Sequence, residues 1–181
     1  KRNPRKLDEA LISSQEFVHK FMITYRAALA CYRHEKIQYF ARLLNNASGK
    51  EFNIDGYEEY LKIVDELSNR EIRILTLIDK YYKETSGESF LNSLGNKIWI
   101  GDDEPDKEYG SKFASFKESL YRQLRDDCDL TDNEISGFLI RLSRSGLYEQ
   151  FDLVAGPNGS GKLTDLYYNL KALIIIEENI E

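Results

Sequence analysis

Apolar residues recur every three or four positions along most of this chain, the period of a helix with one buried face. Over residues 7–32 the set is Leu7, Leu11, Phe17, Phe21, Tyr25, Leu29 and Tyr32, which share one face, with Lys20 and Arg26 elsewhere on the cylinder. A second helix is expected over about 35–45, on Ile37, Phe40, Ala41 and Leu44. The run Asn45-Asn46-Ala47-Ser48-Gly49-Lys50 predicts a loop, because such side chains compete for their own backbone. A third helix follows over about 56–67. Ser68-Asn69-Arg70-Glu71 then has the form of a capping box, opening a helix that carries Ile72, Leu75, Ile78 and Tyr82.

Residues 85–110 lose this period. They hold one apolar patch, Ile98-Trp99-Ile100, and an acidic run, Asp102-Asp103-Glu104-Pro105-Asp106, and predict a long loop with at most a short strand. The helical pattern returns over about 112–125. Thr131-Asp132-Asn133-Glu134 is a second capping box, followed on one face by Ile135, Phe138, Leu139 and Leu142. Gly146 is placed to end that helix in the left-handed conformation. The segment 148–154, the turn Gly156-Pro157-Asn158-Gly159-Ser160-Gly161 and the residues from Leu163 predict a hairpin, then a last helix over about 165–176.

Composition adds limits. The chain has 181 residues, net charge −6, 41% apolar and 31% charged residues. These values fit a globular protein of one domain or two small ones and exclude a disordered tail or a collagen-like repeat. No run of 18 apolar residues exists to span a membrane. The opening Lys1, Arg2, Arg5 and Lys6 precede no apolar run, so no signal peptide is expected, and the lack of an initiating Met suggests an excised domain. Cys31 and Cys128 are read as free core fillers in a reducing cytoplasm. Residues 1–43 carry nine Lys/Arg and four Asp/Glu, net +5, while the other 138 carry sixteen and twenty-seven, net −11. A basic arm of this kind suits nucleic acid or an acidic partner, or pairs with the acidic remainder.

Gly156-Pro157-Asn158-Gly159-Ser160-Gly161-Lys162 resembles the Walker A element of P-loop nucleotide-binding proteins, in which backbone amides and the Lys hold phosphates. Two features oppose that reading. Leu163 stands where Ser or Thr would hold magnesium, and only nineteen residues follow Lys162, too few for the later strand such a sheet needs.

The order of elements from Leu67 onward is similar to the winged-helix (MarR-like) module of bacterial regulators. The likeness rests on Leu142-Ser143-Arg144-Ser145-Gly146-Leu147 ahead of a ribbon and on Leu163-Thr164 leading into a helix. It implies a mainly α fold, with an N-terminal helical part (1–66) followed by a winged-helix-like α+β module (67–181) with one small β-hairpin. A second resemblance is to the bacterial abortive-infection alpha family, through Ile37-Gln38-Tyr39-Phe40-Ala41-Arg42-Leu43-Leu44-Asn45-Asn46-Ala47, Leu67-Ser68-Asn69-Arg70-Glu71-Ile72 and the Leu163-Thr164 ending. It implies a phage-defence setting with no assigned chemistry.

A winged helix that reads DNA presents polar and basic side chains to the groove. Here these would be Asn133, Ser136, Arg141, Ser143 and Arg144, with Lys162 at the hairpin. Residues 128–181 hold four Lys/Arg against nine Asp/Glu, net −5, which disfavours phosphate. Asn133, Arg141, Arg144 and Lys162 are therefore expected to form a face for a protein partner, with DNA as the alternative and nucleotide at the glycine-rich turn as a third reading.

No catalytic, metal or cofactor site is expected. Cys31-x-x-His34 lacks the second pair a zinc site requires, the acidic run lacks calcium-loop spacing, and no Gly-x-Ser-x-Gly elbow occurs. In Tyr81-Tyr82 and Tyr167-Tyr168 only one ring of each pair is expected inside, the other being free for a partner. The function expected is non-enzymatic: interaction or regulation, with self-association through the long first helix.

Overall fold

The computed structural model describes residues 13–31, 33–48, 53–85, 87, 107–150 and 161–175. Several expectations fall outside them: the first four cations of the basic arm (Lys1, Arg2, Arg5 and Lys6), Leu7, Leu11, Tyr32, the patch Ile98-Trp99-Ile100, the acidic run 102–106, the turn 156–160 and Ile176. Among the described residues there are seven helices and one two-stranded antiparallel sheet, so the fold is mainly α with a small ribbon. In chain order these are α1 (Gln15–Ala30), α2 (His34–Ser48), α3 (Ile54–Glu66), α4 (Asn69–Thr85), α5 (Lys107–Cys128), α6 (Asp132–Arg144), β1 (Tyr148–Gln150), β2 (Gly161–Leu163) and α7 (Asp165–Ile174). The chain divides into two compact units, one of Lys1–Asn69 with Asn169–Glu181, the other of Arg70–Tyr168.

The first unit is built on α1, α2 and α3, each packed on the other two. Ser14 caps α1 by accepting the Phe17 amide at 3.1 Å, and Asn53 caps α3 by accepting that of Gly56 at 2.8 Å. The core is Phe40, Leu43 and Ala47 from α2 against Tyr57, Leu61 and Val64 from α3. The expected stripe on α2 is rotated by about one residue. Ile37 and Ala41 face solvent, while Lys36 is buried, its ammonium donating to the Asp65 carbonyl in the last turn of α3. A cation on an orphan carbonyl at a helix C-terminus satisfies both groups.

The loop expected from Asn45 is instead helix as far as Ser48. Two contacts outweigh the local preference of the asparagines. Ala47 is fully buried, and the Asn46 amide donates to the Leu173 carbonyl at 2.7 Å. Arg42 reaches the Ile174 carbonyl at 3.3 Å, so two side chains of α2 close the C-terminal end of α7.

The second unit packs α4, α5 and α6 around Ile72, Ile74, Leu75, Ile78, Leu120, Leu124, Ile135, Leu139 and Leu142. Helix α5 begins at Lys107, inside the stretch expected to be loop. Both Tyr81 and Tyr82 are buried, against the expectation that one ring would stay free. The Phe116 ring lies 5.1 Å from Tyr81 and 5.9 Å from Tyr82, so α5 covers two adjacent positions of α4 at once. Tyr167 is buried and Tyr168 half-buried.

Helix α6 opens on the complete capping box: Thr131 accepts the Glu134 amide, and the Glu134 carboxylate accepts the Thr131 amide at 2.8 Å. Gly146 ends it at φ +75°, with the Leu147 amide donating back to the Leu142 carbonyl at 3.1 Å. The ribbon pairs Tyr148 with Leu163, Glu149 with Lys162 and Gln150 with Gly161. Thr164 joins three elements. Its amide donates to Leu147, its hydroxyl donates to the Gly146 carbonyl at 2.6 Å, and the same hydroxyl accepts the Tyr167 amide at the start of α7. Gly161 has no substitute here, because a Cβ would stand 2.0 Å from the Glu149 carbonyl oxygen.

Candidate partner-binding surface

The capping box fixes where α6 starts, and its buried Ile135, Leu139 and Leu142 fix which side faces out. The outward stripe is Asn133, Gly137, Ile140 and Arg144, spaced four, three and four residues apart. Ile140 is 42% exposed, and a Cβ built on Gly137 would meet nothing within 4 Å. The middle of the stripe is therefore bare backbone beside an apolar side chain, with a polar residue at either end.

The four residues expected to form the face divide into two kinds. Asn133 and Arg144 are exposed on the stripe, and Arg144 has no ion-pair partner among the described residues. Arg141 lies at the margin and is held down: its Nε is 2.9 Å from Glu71 Oε1, and its guanidinium stands 4.5 Å from the centre of the Phe138 ring. Lys162 sits on β2 with its ammonium 3.2 Å from the Glu149 carboxylate across the ribbon. Glu71 and Glu149 were not singled out in the sequence, although the antiparallel register would have paired Glu149 with Lys162.

The placement of Lys162 bears on the phosphate-loop resemblance. A Walker A lysine leads directly into a helix whose N-terminus faces the phosphates. Here Gly161-Lys162-Leu163 is a strand, the lysine is paired to a carboxylate, and α7 starts only at Asp165.

Three phenols are buried in the same unit. Tyr82 donates to the Gly161 carbonyl at 2.7 Å, which ties α4 to the ribbon. Burial, with the neighbouring tyrosines adding, pushes the Tyr82 phenol well above its ordinary value, and burial does the same to Tyr148. Burial and then the Asp79 carboxylate push up Tyr167, whose hydroxyl has no hydrogen-bond partner among the described residues. All three stay neutral near pH 7.

Elsewhere, His19 is paired with Glu58 at 3.0 Å, and Cys31 and Cys128 are free thiols. Cys128 is in the core as expected; Cys31 is only half-buried, because α1 ends there. Among the described residues no group of three or more His, Cys, Asp or Glu is arranged to hold a metal, and no helix is long and apolar enough to cross a membrane.

No family model matches the chain, and no curated protein or solved structure matches it significantly.

Proposed function

We propose that this chain is a non-enzymatic interaction module of regulatory type, whose second unit is built like a winged helix and turns its third helix, α6, toward protein. The fold reading is supported by the order α4, α5, α6, β1, β2, α7, with Gly146 ending the third helix and Thr164 closing the ribbon onto the last. The single observation that carries the choice of partner is charge cancellation. Of the three cations on the candidate face, Arg141 and Lys162 are each matched to a carboxylate within 3.2 Å, leaving Arg144 beside an exposed Ile140. Nucleic acid demands several cations free to neutralise phosphates, whereas protein interfaces favour a desolvated apolar centre with an Arg beside it. The resemblance to the abortive-infection alpha family supplies the setting, phage defence in a bacterial cytoplasm, in which this chain contributes binding.

Titration of a fluorescent random duplex at low salt tests the choice. The expected result is no saturable binding, in wild type and in the Arg144→Ala variant alike. Binding that falls by orders of magnitude as salt rises, and weakens in Arg144→Ala, would reverse the reading in favour of a DNA-binding regulator. In parallel, ATP with magnesium is expected to leave the melting temperature unchanged, since a ligand stabilises only the state that binds it.

A further inference from the structure

Helix α1 presents the reverse of an ordinary surface helix. Its buried residues are Lys20 and Thr24. Its large apolar residues face outward: Val18, Phe21, Met22, Tyr25 and Leu29 are between 42% and 68% exposed. The inward face is stable because each polar group has a partner. Lys20 pairs with Glu16 at 2.6 Å and lies over the Tyr57 ring, while the Thr24 hydroxyl meets that of Tyr57 at 2.5 Å. The helix is thus held by contacts that leave its large apolar side chains about half exposed.

We propose that this face is a dimerisation surface and that its occupant is a second copy of this chain. Three observations point to that occupant. The spacing Val18, Met22, Tyr25, Leu29 runs four, three, four, the seam of one helix packing along another. The rings of Phe17, Phe21 and Tyr25 are stacked in sequence, 6.5 Å and 6.2 Å between centres, so the surface is ordered before any partner arrives. Charge is the third. His19 and Lys20 are matched to Glu58 and Glu16, so a second copy brings no opposing charge cluster to the seam.

The area agrees. At about 200 Å² for a whole large side chain, the five exposed residues offer roughly 500 Å² per copy. A two-fold pair then buries about 1,000 Å², the lower bound of a specific interface. A helix lying in a lipid surface would instead be rimmed with lysines and arginines. Here Lys20 is buried, and Arg26 is the cation left at the seam among the described residues of α1.

Sedimentation velocity on the whole chain, over a series from about 5 to 500 μM, tests it. The expected result is a shift from monomer toward dimer across the series. The double variant Tyr25→Glu with Leu29→Glu is expected to weaken the dimer at least tenfold while keeping the helical circular dichroism of wild type. Met22→Lys, at a third exposed position, is expected to act in the same direction. A chain that stays monomeric throughout would overturn the proposal, and so would a dimer unaffected by these substitutions. Co-sedimentation of the monomer with anionic phosphatidylserine vesicles, without self-association, would overturn it in favour of a lipid surface.

Discussion

Helices α1 and α4 carry the same signal in the sequence, a regular stripe of large apolar residues ending in aromatic rings. In α4 the stripe is buried on two adjacent sides, and Tyr81 and Tyr82 are both enclosed by Phe116 of α5. In α1 the stripe faces out, and an ammonium and a hydroxyl face in. Periodicity identifies which residues share a face; it does not say what the face meets. That is decided by the partner helix. Tyr57 on α3 offers α1 a ring and a hydroxyl, which suit the stem and charge of Lys20 and the hydroxyl of Thr24. Phe116 on α5 offers α4 a ring, which covers those of Tyr81 and Tyr82, and a backbone carbonyl that accepts the Tyr81 hydroxyl at 3.2 Å.

The sharpest test of this contrast substitutes one residue type in both helices. Tyr82→Ala removes a fully enclosed ring and is expected to cost about 3–5 kcal/mol of folding stability. Tyr25→Ala is expected to cost under about 0.5 kcal/mol in the monomer, because that ring is half-exposed. Urea unfolding at a concentration below self-association measures both, and equal losses would break the comparison.

Next in size is Gly161→Ala. The added carbon meets backbone on β1, which cannot step aside as a side chain could, so a loss of roughly 3 kcal/mol is expected. Loss of the Tyr82 hydrogen bond to residue 161 should accompany it, seen as faster amide exchange along the ribbon.

Alkaline pH separates the units. The folded second unit keeps Tyr82, Tyr148 and Tyr167 protonated, whereas in the unfolded chain they ionise above about pH 10. The folded state therefore binds more protons there, and stability is full below pH 10 and falls as pH rises beyond it. The slope is about 1.4 kcal/mol per pH unit for each phenol held back. In the first unit burial raises Tyr57, with the Thr24 hydrogen bond opposing it, and the half-buried Tyr60, where Glu59 adds, but neither is pushed as far as the three of the second unit, so amide exchange should show the second unit opening first.

The smallest effect has opposite signs in the two units. Tyr167→Phe removes a buried hydroxyl without a partner among the described residues and should gain about 1 kcal/mol. Tyr57→Phe removes one bonded to Thr24 and should lose about 1 kcal/mol. Thermal melts of the two variants, one rising and one falling by a few degrees, check the pair.

The second unit was the more legible half. A complete capping box at Thr131, a glycine at a left-handed helix end and strand residues on either side of a glycine-rich sequence are local signals, and the cap, the helix end and the strand pairing each form where they are written. What could not be read there depends on distant residues: Glu71 drawing Arg141 down, Glu149 neutralising Lys162, and Phe116 covering two tyrosines. In the first unit long-range contacts reversed local preferences twice. Asn46 stays helical because it serves the end of α7, and Lys36 turns inward because α3 ends beside it. On the outward stripe of α6, the exposure of Asn133 and Arg144 was legible in the sequence; that of Gly137 and Ile140 between them was not, since an exposed isoleucine reads as core until the opposite side of its helix is known.

Met22 is the single methionine of the chain and lies on the outward face of α1, so a methyl-labelled sample carries one reporter at the centre of the claim. Its NMR signal, titrated with a soluble paramagnetic agent, measures contact with solvent directly. The account predicts strong broadening in dilute protein and growing protection as concentration rises. Protection that is already complete at the lowest concentration would mean that the chain covers this face itself, and would contradict it.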